Sequence, residues 1–128
     1  MRPLRYFRWW LLLGWLIVLA VVYLSLSTRP AIDIPVRFGD KVGHFLAYGV
    51  LMGWFVQLYQ SRILLLLHAA LLVLLGVGLE FLQGYSGRYF EYADMAANSA
   101  GVLVGFSLCF TPLQVLLQRF EACLFSRR

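Results

Sequence analysis

The stretch WWLLLGWLIVLAVVYLSL, residues 9–26, holds eighteen residues without a single charge. A run of that length and apolarity matches the hydrocarbon thickness of a bilayer when wound as an α-helix. Three further apolar stretches follow at about 41–59, 63–83 and 95–117. Each has roughly the 17–25 residues that a spanning helix needs. The chain of 128 residues is 62% hydrophobic and 13% charged, against about 45–50% apolar and about 25% charged in soluble domains. A water-soluble fold of this size has too little interior to hide so much apolar surface. The expected class is therefore all-α: one integral-membrane bundle of about four transmembrane helices, forming a single domain over 1–128, with the lipid bilayer as its partner.

The first stretch also resembles a secretory signal, because Arg2, Arg5 and Arg8 precede it and Ser25-Leu26-Ser27 follows. Its apolar run exceeds the 7–15 residues of a signal core, and it carries Trp9, Trp10 and Trp15, so it is read as an uncleaved first span. The turn near Gln60–Arg62 is very short, which makes its two flanking spans antiparallel neighbours.

Lysine and arginine set the orientation. With the N-terminus inside, Arg2, Arg5, Arg8, Arg62, Arg119, Arg127 and Arg128 fall on the cytoplasmic side, and Arg29, Arg37, Lys41 and Arg88 on the other. Both termini are thus expected in the cytoplasm. A net charge of +5 does not make this a nucleic-acid binder, because the basic residues sit at segment ends instead of lining one face. No zinc spacing is present, and Cys109 and Cys123 lie too far apart on a common helix to bridge. No cofactor and no metal is expected.

The polar residues gather at the outer ends of the spans. The second opens with DKVGHFLAY, which puts Asp40 and His44 on one face with Tyr48 beside them. The third closes with GVGLEFLQG, aligning Gly76, Glu80 and Gln83. The fourth opens with DMAANSAGVLVG, aligning Asp94, Asn98, Gly101 and Gly105. Just before it, Arg88, Glu91 and Asp94 crowd three charges into seven residues. Each has a plain structural reading as well. Asp40 and Asp94 are good helix N-caps, His44 and His68 are packing residues, and Lys41 and Arg88 snorkel to the interface. Tyr85, Tyr89, Phe90 and Tyr92 form an interfacial aromatic belt. Glu80 resists this treatment. It lies inside the third span, where a carboxylate is costly, and near a helix C-terminus, where it opposes the helix dipole. It requires a partner, with Arg88, Lys41 and His44 in reach.

Gly49-x-x-x-Gly53 lies opposite the Asp40–His44 face, whereas Gly101-x-x-x-Gly105 shares the face of Asp94 and Asn98. Small residues four apart let helices approach closely in lipid. The face of Asp94 and Asn98 is accordingly expected in a helix–helix contact.

The pattern Asp40-Lys41-x-x-His44-Phe45-x-x-Tyr48, then Glu80-x-x-Gln83, then Arg88-x5-Asp94-x-x-x-Asn98-x-x-Gly101 resembles the VanZ-like family. These are bacterial polytopic membrane proteins related to a teicoplanin-resistance accessory protein. The match covers about residues 40–105. The resemblance implies a small multi-pass protein of the bacterial cytoplasmic (inner) membrane, linked in some members to glycopeptide susceptibility. Its implied binding residues are Asp40, Lys41, His44, Tyr48, Glu80, Gln83, Arg88, Asp94 and Asn98.

Two functions follow as leading expectations. One is an accessory or binding protein that presents this polar site at the outer membrane face, with a lipid-linked envelope precursor or a glycopeptide as its ligand. The other is a membrane-embedded enzyme acting on a lipid-linked envelope precursor at the outer leaflet. In it, His44, Glu80 or Asp94 would be the acid or base and Arg88 and Lys41 would hold phosphate or carboxylate. The sequence contains no nucleophile motif such as G-x-S-x-G. A transporter reading is weaker still, because the span centres are nearly free of ionisable groups.

Overall fold

The computed structural model of the protein describes residues 4–27, 39–85 and 90–125. They form five α-helices: α1 (Phe7–Leu26), α2 (Gly39–Leu58), α3 (Arg62–Tyr85), α4 (Tyr92–Ser107) and α5 (Leu116–Phe125). Two short 3-10 turns, Leu108–Phe110 and Pro112–Val115, join α4 to α5. Among the described residues there is no β-strand.

Three helical stretches are long and apolar enough to cross a membrane: Phe7–Leu26, Arg62–Tyr85 and Tyr92–Phe110. Helix α2 has 20 residues, but its polar first turn and its scattered glycines dilute its hydropathy. Its place in the bundle explains why this is tolerated. Helix α2 packs against α1, α3 and α4, and its Tyr48, Leu51, Met52, Phe55 and Val56 are at most 1% exposed. On that side α2 meets protein, and among its large apolar residues only the narrow stripe of Val42, Leu46 and Val50 is exposed. The outer helices show the converse pattern. Leu12, Leu16 and Leu19 of α1, Leu67, Leu71 and Leu74 of α3, and Leu103 and Val104 of α4 all face outward. Continuous apolar surface of this extent is foreign to water-soluble monomers and natural to a bundle solvated by lipid.

The contact between α2 and α4 is made backbone to backbone. A Cβ added at Gly101 would overlap the Phe45 carbonyl oxygen and lie 3.0 Å from the Gly49 nitrogen. One added at Gly105 would lie 2.5 Å from the Gly49 oxygen and 2.9 Å from the Gly53 nitrogen. The small-residue stripe of α4 is therefore a packing surface, as its spacing predicts. One detail differs from the helical-wheel expectation. Gly49 and Gly53 do not face away from α4 while His44 faces it; both meet it. Phe45 bridges the two faces, being adjacent to His44 and one turn from Gly49, so α4 lies along Phe45–Gly49–Gly53 while the longer His44 reaches around to Asn98.

The fourth apolar stretch does not run on to residue 117 as one helix. Proline has no N–H and disfavours helical backbone in the residue before it. Thr111 accordingly adopts φ −117° and ψ 162°, and its hydroxyl oxygen accepts the Leu113 N–H at 3.2 Å. The chain turns there, and α5 folds back against the bundle. Glu121 of α5 is buried and accepts hydrogen bonds from the Arg5 N–H at 2.6 Å, the Tyr6 N–H at 3.1 Å and the Trp10 indole at 2.6 Å. It supplies the cap that α1 otherwise lacks, since Tyr6 makes no side-chain cap of its own. Nearby, the Trp54 indole donates to the Trp10 carbonyl at 3.0 Å. The Gln57 amide donates to the Leu113 carbonyl at 2.8 Å and accepts from the Leu117 N–H at 3.1 Å. This end of the bundle is closed by hydrogen bonds.

Candidate functional site

At the other end, the first turns of α2 and α4 and the last turns of α3 bring together most of the polar residues picked out in the sequence. Lys41 lies with its Nζ 2.5 Å from Glu91 Oε2 and 3.3 Å from Asp94 Oδ1. His44 Nδ1 is 3.1 Å from the side-chain oxygen of Asn98. That oxygen only accepts, so Nδ1 carries the proton and donates. His44 Nε2 then points at two carboxylates, 3.8 Å from Asp40 Oδ1 and 3.8 Å from Asp94 Oδ2.

Deeper in the bundle, Glu80 and Tyr48 are each 1% exposed. Neither Glu80 carboxylate oxygen nor the Tyr48 hydroxyl has a hydrogen-bond partner among the described residues. Gly76, one turn before Glu80, makes room for this layer: a Cβ there would meet Asn98 Nδ2 at 3.1 Å and the Tyr48 ring at 3.3 Å. Glu80 is also within electrostatic reach of Asp94, His44 and Asp40, and the Glu91 backbone N–H acts on it as well. The result is a stack: Lys41, Glu91 and Asp40 at the rim, His44, Asp94 and Asn98 below them, and Tyr48 and Glu80 beneath.

Neither acidic residue at the helix starts acts as a cap. The N-cap of α4 is Glu91, without a side-chain cap bond, and Asp94 lies inside the first turn. Asp40 likewise lies within α2, whose first residue is Gly39, and its side chain is 67% exposed. Gln83 stands apart from the stack, its amide donating to the Ser25 carbonyl at 2.7 Å and tying α3 to the end of α1. Arg88 and Tyr89 lie outside the described residues.

His68 behaves as a packing residue. Its Nδ1 sits 2.7 Å from the Leu64 carbonyl oxygen, and its ring lies against Phe55 and Tyr59. The aromatic belt is represented by exposed Tyr85 and Tyr92, with Phe90 between Phe81 and Tyr92. The Ser99 and Ser107 hydroxyls donate to carbonyls of their own helix at 2.9 and 2.7 Å, which turns both away from nucleophilic work. Elsewhere, a cavity of about 890 Å³ lies on the outside of the α2–α4 contact. It is lined by Phe45, Gly49, Val50, Gly53, Val104 and Leu108, with Arg119 at one end. Its walls are hydrocarbon and carry none of the groups just described.

Two contributors escaped the sequence. Glu91 holds Lys41, although only the crowding of charge at 88–94 hinted at it. Glu121 gave no signal beyond being a lone acid in a basic tail.

No protein-family model, curated protein or solved structure matches the chain. Fold and site together define an all-helical protein with three helices fit to cross a membrane and a buried polar cluster where its helices end.

Proposed function

We propose that this chain is a multi-pass protein of the bacterial cytoplasmic membrane, of the VanZ-like kind, that serves the cell envelope as a binding or accessory protein. Its site is the stack at the outer ends of α2, α3 and α4, and both termini face the cytoplasm. The orientation rests on the excess of Lys and Arg on the termini side. The envelope role rests on the resemblance carried by Asp40, Lys41, His44, Glu80, Asp94 and Asn98.

The observation that carries the binding reading is the buried carboxylate of Glu80, which has no side-chain hydrogen-bond partner among the described residues. A carboxylate kept only for structure would hold a partner, because an unpaired buried charge costs several kcal/mol. Unsatisfied acceptors at the base of a cluster call for a ligand that brings hydrogen-bond donors or positive charge. Lys41 already faces Glu91 and Asp94, so the described cluster is better matched to such a ligand than to a phosphate. The enzyme reading keeps one specific support. His44 donates through Nδ1 to Asn98 and turns Nε2 toward exposed Asp40 and buried Asp94, which is the arrangement of an acid–base histidine.

The test is a deletion strain complemented with wild type, Glu80→Gln or Asp94→Asn at matched protein levels. Glycopeptide susceptibility and lipid-linked precursors are measured in each. Both variants should be made and inserted normally yet fail to restore the wild-type profile. Full restoration by both would reduce the stack to helix-end polarity. A single precursor accumulating in the deletion and in both variants would favour the enzyme.

A further inference from the structure

We infer that Asp40, His44 and Asp94 form a binding site for a divalent transition-metal ion, with zinc the best-suited occupant. The inference rests on the reading of the outer stack as a binding site and names what it binds.

The donor atoms are already gathered: one nitrogen of His44 and one oxygen each from Asp40 and Asp94 lie within 4.8 Å of one another. Both measured N···O separations are 3.8 Å. Zinc bonds of about 2.0–2.1 Å at tetrahedral angles place donors about 3.3 Å apart. The two N···O pairs need a contraction of about half an ångström, and the Asp40 and Asp94 oxygens, within 4.8 Å of each other, need up to about 1.5 Å, to close the set around an ion. Asp40 can make that movement, since its side chain is largely exposed.

The histidine is prepared for ligation. Its Nδ1–H is committed to Asn98, which turns Nε2 toward the two carboxylates. Two carboxylates facing Nε2 call for positive charge between them, which a proton on Nε2 or a metal ion supplies. With a metal ion, the arrangement is the usual support of a metal-bound histidine, in which the second ring nitrogen donates to a neighbouring oxygen. Asp94 divides its oxygens in the same sense: Oδ1 lies toward Lys41 and Oδ2 toward His44.

A second, independent observation points to a cation. Below the three ligands, Glu80 keeps both oxygens buried without a hydrogen-bond partner among the described residues. Among the described residues, Asp40, Glu80, Glu91 and Asp94 thus bring four carboxylates to one lysine and one histidine. A divalent ion offsets most of that excess. A mixed imidazole and carboxylate set suits zinc or manganese better than the all-oxygen shells of magnesium or calcium.

Full-length protein, purified in detergent and stripped with a chelator, is titrated calorimetrically with Zn²⁺, Mn²⁺ and Mg²⁺, and bound metal is counted by mass spectrometry. The expected result is one Zn²⁺ per chain, tighter than Mn²⁺, with Mg²⁺ weakest. His44→Gln and Asp40→Asn should each weaken Zn²⁺ binding at least about 10-fold, and so should Asn98→Leu through the orientation of His44. Asp40→Asn guards against misfolding, because its exposed side chain supports no packing. No stoichiometric uptake by the wild type, or uptake unchanged in both His44→Gln and Asp40→Asn, overturns the inference. If metal uptake fails while Glu80→Gln and Asp94→Asn still abolish complementation, the metal is excluded and the binding reading stands. If metal binds and complementation persists in both, the metal site stands and the envelope role falls.

Discussion

His44 and Asn98, 54 positions apart in the chain, are joined side chain to side chain at 3.1 Å across the α2–α4 contact. This bond fixes the histidine tautomer and so decides which nitrogen looks into the site. It also places a polar link directly beside the glycine contact, where the two backbones come closest. Asn98→Ala should destabilise the bundle by about 1–3 kcal/mol, the cost of stranding a partly buried donor. Thermal unfolding in detergent measures it. A melting temperature equal to wild type would mean that His44 finds its acceptor elsewhere.

The glycines separate by their surroundings, and alanine reads out the difference. At Gly101 even a methyl group collides with the Phe45 carbonyl oxygen, so Gly101→Ala should cost about 1–3 kcal/mol through forced separation of α2 and α4. At Gly78 nothing lies within 4 Å of an added Cβ. There the better helix propensity of alanine should stabilise by up to about 1 kcal/mol. The same melting experiment, run on both variants, should move in opposite directions.

Glu121 is the acceptor for two backbone N–H groups and an indole at the start of α1. Glu121→Ala should lower stability by about 2–3 kcal/mol, as expected for buried donors left without a charged acceptor. Limited proteolysis supplies the second readout: α5 should be cut faster in the variant than in wild type. Equal cleavage would show that α5 is held by its apolar contacts alone.

Orientation is checked with single cysteines at Ser27, Ser61 and Ser86 in a background of Cys109→Ser and Cys123→Ser. An impermeant maleimide added to intact cells should label positions 27 and 86 and spare position 61. The opposite pattern would put the polar stack on the cytoplasmic side and remove any contact with an external glycopeptide.

Much of this molecule is written locally. The uncharged run at 9–26 becomes α1 and the leucine-rich run at 63–83 becomes most of α3, because length and apolarity are properties of consecutive residues and lipid selects for both. The stripe Asp94–Asn98–Gly101–Gly105 is legible for the same reason, since helical periodicity puts it on one face whatever it meets. The break at Pro112 also follows from one residue's chemistry, although the apolar run at 95–117 reads straight through it. What the stripe meets is another matter. Asp94 looks like a cap in sequence, yet it lies within the first turn of its helix, between Lys41 and His44. Glu121 looks like tail polarity, yet it holds the start of α1 from 111 to 116 positions away. The second helix looks like one more span, and in the fold it packs against α1, α3 and α4 with Tyr48, Leu51, Met52, Phe55 and Val56 buried. Local pattern fixes which faces are apolar, small or charged. Which charges pair, which nitrogen of His44 faces the carboxylates and which carboxylate is buried beneath them depend on the crossing of α2, α3 and α4, and only the folded chain decides that.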